Sequence, residues 1–199
     1  MSAKQYWGDL IGGGLLLGES RLVAGVLLND FCALDWRNQF MVDNILKKTS
    51  HHTSLRYAQT IRKRLDPLGK EFIQTVVMAS GLEYKQLILL ATLIHSPILA
   101  DFMSIVIKDH KRLYKSRLSL DAWDVFINEK LQLAPHLAVF SASTSKKIGT
   151  NVVRILVESG YLNSNHQREF QPIYILPETR KWILNFNRHD LEDAIECTV

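Results

Sequence analysis

The sequence predicts a mainly α-helical globular protein with two helix-turn-helix-like units, and three observations carry that prediction. Apolar residues recur at i, i+3 and i+4 along most of the chain, the spacing that gives a helix one buried face. Serine, threonine or aspartate precedes many of these runs and glycine or proline closes them, as helix caps and stops do. Hydrophobic residues make up 47% and charged residues 22% of the 199 residues, enough to build a core without a disulfide or metal staple.

The elements follow in order. Residues 1–18, with Gly12-Gly13-Gly14 and Gly18, read as a flexible opening. Leu22, Val23, Val26 and Leu27 give residues 19–29 a helical apolar face. Asp35 is placed to cap a helix over 36–47, and the polar run Lys48-Thr49-Ser50-His51-His52 breaks it. Thr53 then opens a helix with Leu55, Ala58, Ile61 and Leu65 inward, stopped by Pro67 and Gly69. Helices are expected over 70–79, 83–95 and 98–110, the last two apolar nearly all round and therefore central.

A basic hinge over 108–117 leads to a helix over 120–131 that carries Trp123, Phe126, Ile127 and Leu131. A short helix is expected at 137–141. Ser143-Thr144-Ser145 then caps a helix over 146–159, with Ile148, Val152, Ile155 and Leu156 inward and Gly160 at its end. Tyr161-Leu162 and the stretch 172–177 read as two short strands around a polar tip at 163–168, the wing of a winged helix. Residues 178–187 return to helix. The chain thus divides into an N-terminal helical region, 1–117, and a C-terminal winged-helix-like region, 118–199.

Several function classes fall away at this level. Cys32 and Cys197 belong to no metal or redox motif and read as reduced thiols of a cytoplasmic protein. Glu19 and Arg21 interrupt the oily stretch 10–28. The longest charge-free piece of the second oily stretch, 86–100, includes Gln86, His95, Ser96 and Pro97, and is shorter than the roughly 18 apolar residues a membrane span needs. The glycine cluster is neither a P-loop nor a dinucleotide fingerprint and reads as a loop or a close helix contact. His51-His52 are adjacent, so they offer a metal no common face, and His95 reads as a satisfied core residue. No nucleophile motif is present. The expectation is a protein without catalytic residues, metal, cofactor, membrane anchor or small-molecule substrate.

Charge points to a polyanion. The net charge is +4 at pH 7 but uneven. Lys47, Lys48, Arg56, Arg62, Lys63 and Arg64 fall within 44–64 without one acid, and the last eleven residues hold four acids and no lysine or arginine. Clustered lysine and arginine displace counterions from phosphates, although the same residues also simply solvate helix faces. In the first unit the candidates for DNA contact are Lys47, Lys48, Thr49, Ser50, Thr53, Ser54, Arg56 and Lys63, with hydroxyls near a helix N-terminus where amides hold phosphate. In the second unit they are Ser145, Lys146, Lys147, Thr150, Asn151 and Arg154 on one helix, plus Arg168 at the wing tip.

Three stretches carry a family resemblance: the opening 12–21 (GGGLLLGESR), the Asp35-Trp36-Arg37 entry and the helix over 143–160. The chain resembles the BrxA family, core proteins of the type 1 bacteriophage-exclusion (BREX) defence systems. That resemblance implies a nearly all-helical globule with helix-turn-helix elements, binding of double-stranded DNA, and work beside other BREX proteins. The rival expectation is a protein–protein adaptor that docks those other defence proteins.

Overall fold

The computed structural model describes residues 1–29 and 32–197, and the chain is mainly helical. At its centre lies α6 (Gly81–His95), buried almost continuously from Tyr84 to Leu93. Ser96 and Pro97 end it, because proline cannot continue the hydrogen-bond ladder. The chain then turns by 111° into α7 (Pro97–Phe102), which runs through a π-turn (Met103–Ile107) into α8 (Lys108–Arg112). No single helix among the described residues is long and apolar enough to cross a membrane.

The glycine-rich opening is packed rather than flexible. It holds α1 (Ala3–Trp7), capped by Ser2 and Gln5, and a 3-10 turn (Leu10–Gly12). Tyr6, Trp7, Leu10 and Leu15 are buried, and Trp7 Nε1 donates to Leu137 O at 2.9 Å. The glycines fit the close contact expected of them: a Cβ on Gly12 would press on Thr60, and one on Gly14 would collide with the Glu158 carboxylate.

Around α6 pack α2 (Leu17–Leu27), α4 (His51–Leu65) and α5 (Lys70–Met78). Within α2, Val23 and Val26 turn inward as expected, but Leu22 is exposed. The helix expected over 36–47 begins earlier and ends sooner. Here α3 (Ala33–Arg37) passes into a π-turn (Asn38–Val42), with Asp35 accepting from Cys32 N at 3.3 Å. Asn44 breaks it: at φ 49° its side chain accepts from Lys48 N at 3.0 Å and donates to Lys48 O at 2.7 Å, closing a turn instead of continuing a helix.

The rest of the chain holds α9 (Ala122–Leu133), a 3-10 turn (Pro135–Leu137), α10 (Ala142–Glu158), α11 (Pro177–Asn185) and α12 (Asp190–Glu196). The short helix expected at 137–141 does not form; the 3-10 turn precedes it and shares only Leu137 with that span. Ser141 caps α10 by accepting from Thr144 N. Gly160, at φ 90°, ends it, with Tyr161 N donating to Leu156 O at 2.8 Å.

The expected β-hairpin is reduced to two isolated bridges, Leu162 with Phe170 and Arg117 with Glu169, and no β-strand forms among the described residues. The second expected strand is drawn elsewhere. Buried Gln86 donates to Tyr174 O at 2.7 Å and accepts from Leu176 N at 2.9 Å, so a side chain of α6 takes the place of a strand partner. Pro172 and Pro177 carry no N–H for a ladder. One continuous hydrophobic cluster runs from Tyr6 to Cys197.

Candidate nucleic-acid interface

The second set of candidate residues converges on a cleft of about 280 Å³ between the start of α9, the outer face of α10 and the 165–168 loop. Lys146, Thr150, Arg154 and Arg168 line it together with Asn165, and Asp124 is the acid of its wall. Its base is set by Gly149, against which Trp123 packs so closely that a Cβ would lie 2.5 Å from Trp123 Cδ1. Trp123 Nε1 donates to Ser145 O at 3.1 Å, which locks α9 to the first turn of α10. Arg168 holds a left-handed backbone (φ 53°), and its guanidinium reaches Asn165 O at 3.1 Å and Leu120 O at 3.3 Å.

The remaining members of this set divide by environment. Lys146 and Lys147 are exposed and have no carboxylate partner among the described residues. Thr150 is exposed with its hydroxyl turned back to Lys146 O at 3.2 Å, while Ser145 is half-buried. Asn151 is half-buried and its Nδ2 donates to Leu10 O at 2.7 Å, so its amide already serves the 3-10 turn of the opening. Arg154 Nε donates to Glu158 at 2.8 Å. That bond, and then the Glu158 charge, raises the Arg154 pKa, with smaller contributions from Tyr57 and Glu19.

Tyr57 and Glu19, which act electrostatically on Arg154, also hold cations of the first set. Lys48 pairs with Glu19 and stands 5.5 Å from the Tyr57 ring; Arg56 lies 5.1 Å from the same ring. Lys47 is exposed in a left-handed backbone (φ 50°), and Thr49 and Ser50 are exposed beside it. Ser50 is the N-cap of α4 but makes no side-chain bond to the first-turn amides. Thr53 is half-buried. Ser54 is fully buried, with a hydroxyl that has no partner among the described residues. Lys63 pairs with Asp9 at 3.6 Å and lines a different groove, between α1, α4 and the end of α6.

Sequence reasoning missed the acids of this face. Glu19 and Glu158 interleave with its cations, and Glu158 also accepts from Leu15 N at 2.5 Å. The i, i+4 spacing of Arg154 and Glu158 was the available signal for the second. The Arg154–Glu158 pair is half open to solvent on the arginine side, where such a pair contributes little and a phosphate competes with it.

Fold and cleft together define a small, mainly helical protein with a cation-lined cleft on α10. The BrxA family model matches residues 4–187, and the chain belongs to that family. It is 38% identical to a BREX protein BrxA of Escherichia coli O9:H4 (strain HS), over 97% of this chain and 91% of that protein. It is 30% identical to a BREX protein BrxA of Paramagnetospirillum magneticum over the full length of both. A crystal structure of an uncharacterized protein from Magnetospirillum magneticum superposes with a TM-score of 0.87 at 30% identity, covering 97% of this chain and 99% of the other.

Proposed function

We propose that this protein binds double-stranded DNA, chiefly through backbone phosphates, as a non-catalytic cytoplasmic component of a BREX phage-defence system. The observation that carries the reading is convergence. Lys146, Arg154 and Arg168 share one cleft, and Lys48 and Arg56 gather at the Tyr57 ring of α4. In this reading α3–α4 and α9–α10 act as the two helix-turn-helix units, and one duplex lies across both. In the same reading the loop closed by the Leu162–Phe170 bridge serves as the wing and touches the DNA backbone.

Lys47, Arg56, Lys146, Lys147 and Arg168 have no carboxylate partner among the described residues. If each neutralises one phosphate, log affinity falls with log salt at a slope of about −4.5, a loss on the order of 10²–10³-fold between 50 and 200 mM. Fluorescence anisotropy with matched duplex and single-stranded DNA at those two salt concentrations tests this. Salt-independent or absent duplex binding would sink the proposal.

A second reading, docking onto another BREX protein, is favoured by one observation. Leu113, Tyr114 and Leu120 project from the 113–120 segment, with Tyr114 96% exposed. Capture of a BREX partner that survives high salt, without a duplex shift, would favour it.

A further inference from the structure

DNA binding leaves one strongly constrained cation unused. Arg64, on α4, is 3% exposed, and its Nη1 donates to Gly14 O at 3.0 Å. Its Nε and Nη2 are buried without a hydrogen-bond partner, and it forms no ion pair among the described residues. These two nitrogens make one edge of the guanidinium plane, with N–H bonds spaced for the two oxygens of a single carboxylate. A buried charge with three of its five N–H donors unmet is costly, so the edge calls for an acceptor. Burial lowers the Arg64 pKa to about 10, which leaves it charged at neutral pH.

The same residue lines a groove of about 1200 Å³ between α1, α4 and the break from α6 to α7. Ile11, Leu68, Ile94 and Phe140 give the groove apolar walls, and Lys63 and His95 stand on its polar side. The acid of the groove, Asp9, is already engaged by Thr60 at 3.0 Å and Lys63 at 3.6 Å. At the α6–α7 break, against Gly8 of the groove wall, the fully buried Ser96 hydroxyl is a second polar group with no partner among the described residues.

We propose that this groove is a ligand site for an amphiphilic carboxylate, whose two oxygens pair with Nε and Nη2 of Arg64 while its apolar body lies along Ile11, Leu68, Ile94 and Phe140. Entry takes a side-chain rotation at the wall, since the edge is closed to bulk water. The same closure leaves the pair unscreened by solvent, which offsets the cost of desolvating the carboxylate.

The test uses the full chain labelled with ¹⁵N at arginine and titrated with octanoate, following the Arg64 Nε–H resonance. The expected result is a saturating shift of that resonance at millimolar octanoate, with none from 1-octanol at equal concentration. Replacing Arg64 also removes its bond to Gly14, so Phe140→Ala supplies the second readout; it should weaken octanoate by about tenfold through lost apolar contact. No shift with octanoate overturns the site. An equal shift with inorganic phosphate, or unchanged octanoate affinity in Phe140→Ala, overturns the assignment to an amphiphilic carboxylate. None of these readouts involves DNA, so the outcome is independent of the duplex-binding proposal.

Discussion

The basic segments around α4 and α10 look alike along the chain and differ in space. Around α4 six cations fall in 44–64 without an acid, yet four of them are met or buried. Lys48 pairs with Glu19 of α2, Lys63 with Asp9, and Arg62 with Asp66, while Arg64 is inside the protein. On α10 only Arg154 has a carboxylate partner among the described residues; Lys146, which lines the cleft, and Lys147 are exposed. The segment with the greater linear charge is therefore the more neutralised one. Charge counted in a window is not charge on a face, because the compensating acids arrive from other elements.

The largest expected effect breaks the support of α10 itself. Gly149→Val should destabilise the protein by about 1–3 kcal/mol or more, since even its Cβ overlaps Trp123. The control lies in α2, where a Cβ on Gly25 meets nothing within 4 Å. Gly25→Ala should be neutral or stabilising by up to about 1 kcal/mol. Thermal or urea unfolding of the two variants checks the contrast, and equal behaviour would mean that the Trp123 contact does not hold α10 in place.

Next in size is duplex affinity. Lys146→Ala with Lys147→Ala should weaken every duplex alike and reduce the salt slope by about 2. Lys48→Ala with Lys63→Ala should reduce it by less, because those ammonium groups already have carboxylate partners. Equal loss in both double variants would erase the proposed difference between the two units.

A smaller effect separates support from recognition on α10. Asn151→Ala removes the bond to Leu10 O and should cost about 1 kcal/mol in stability. Duplex affinity of the folded variant should not change, and a sequence-selective loss of binding would instead place Asn151 at a base edge.

The smallest concerns pH. Burial, and then the nearby Arg64 charge, lowers the His95 pKa below its ordinary value near 6.5. The unfolded chain therefore binds the proton more readily than the folded one. His95 contributes stability that is present above the ordinary histidine pKa and lost as pH falls toward its lowered folded value. Unfolding midpoints should decline over that window and flatten in His95→Gln; a parallel decline in both would assign the effect elsewhere.

Much of the helical content was legible because local patterns set it. Helices α5, α9 and α11 lie within a few residues of their expected spans, and Gly160 ends α10 as expected. Boundaries failed where a side chain competes with the backbone, as Asn44 does after the π-turn. The hairpin failed for a different reason. Two extended pieces read as partners, but Gln86, about ninety positions from either atom it binds, captured one of them. No local signal announces such a partner.

By itself the sequence determined that the chain is mainly helical, where its central apolar helices run, and which family it resembles. These follow from periodicity, caps and residue order, all carried within a few turns of chain. Only the tertiary structure decided that the glycine-rich opening is packed, that Asn151 serves the 3-10 turn, and that Arg64 is buried with an empty edge. It also decided that Lys146, Arg154 and Arg168 share one cleft. Each of these depends on contacts between residues tens to more than a hundred positions apart. Such contacts are set by how whole helices pack, and a pattern read along one helix does not contain them.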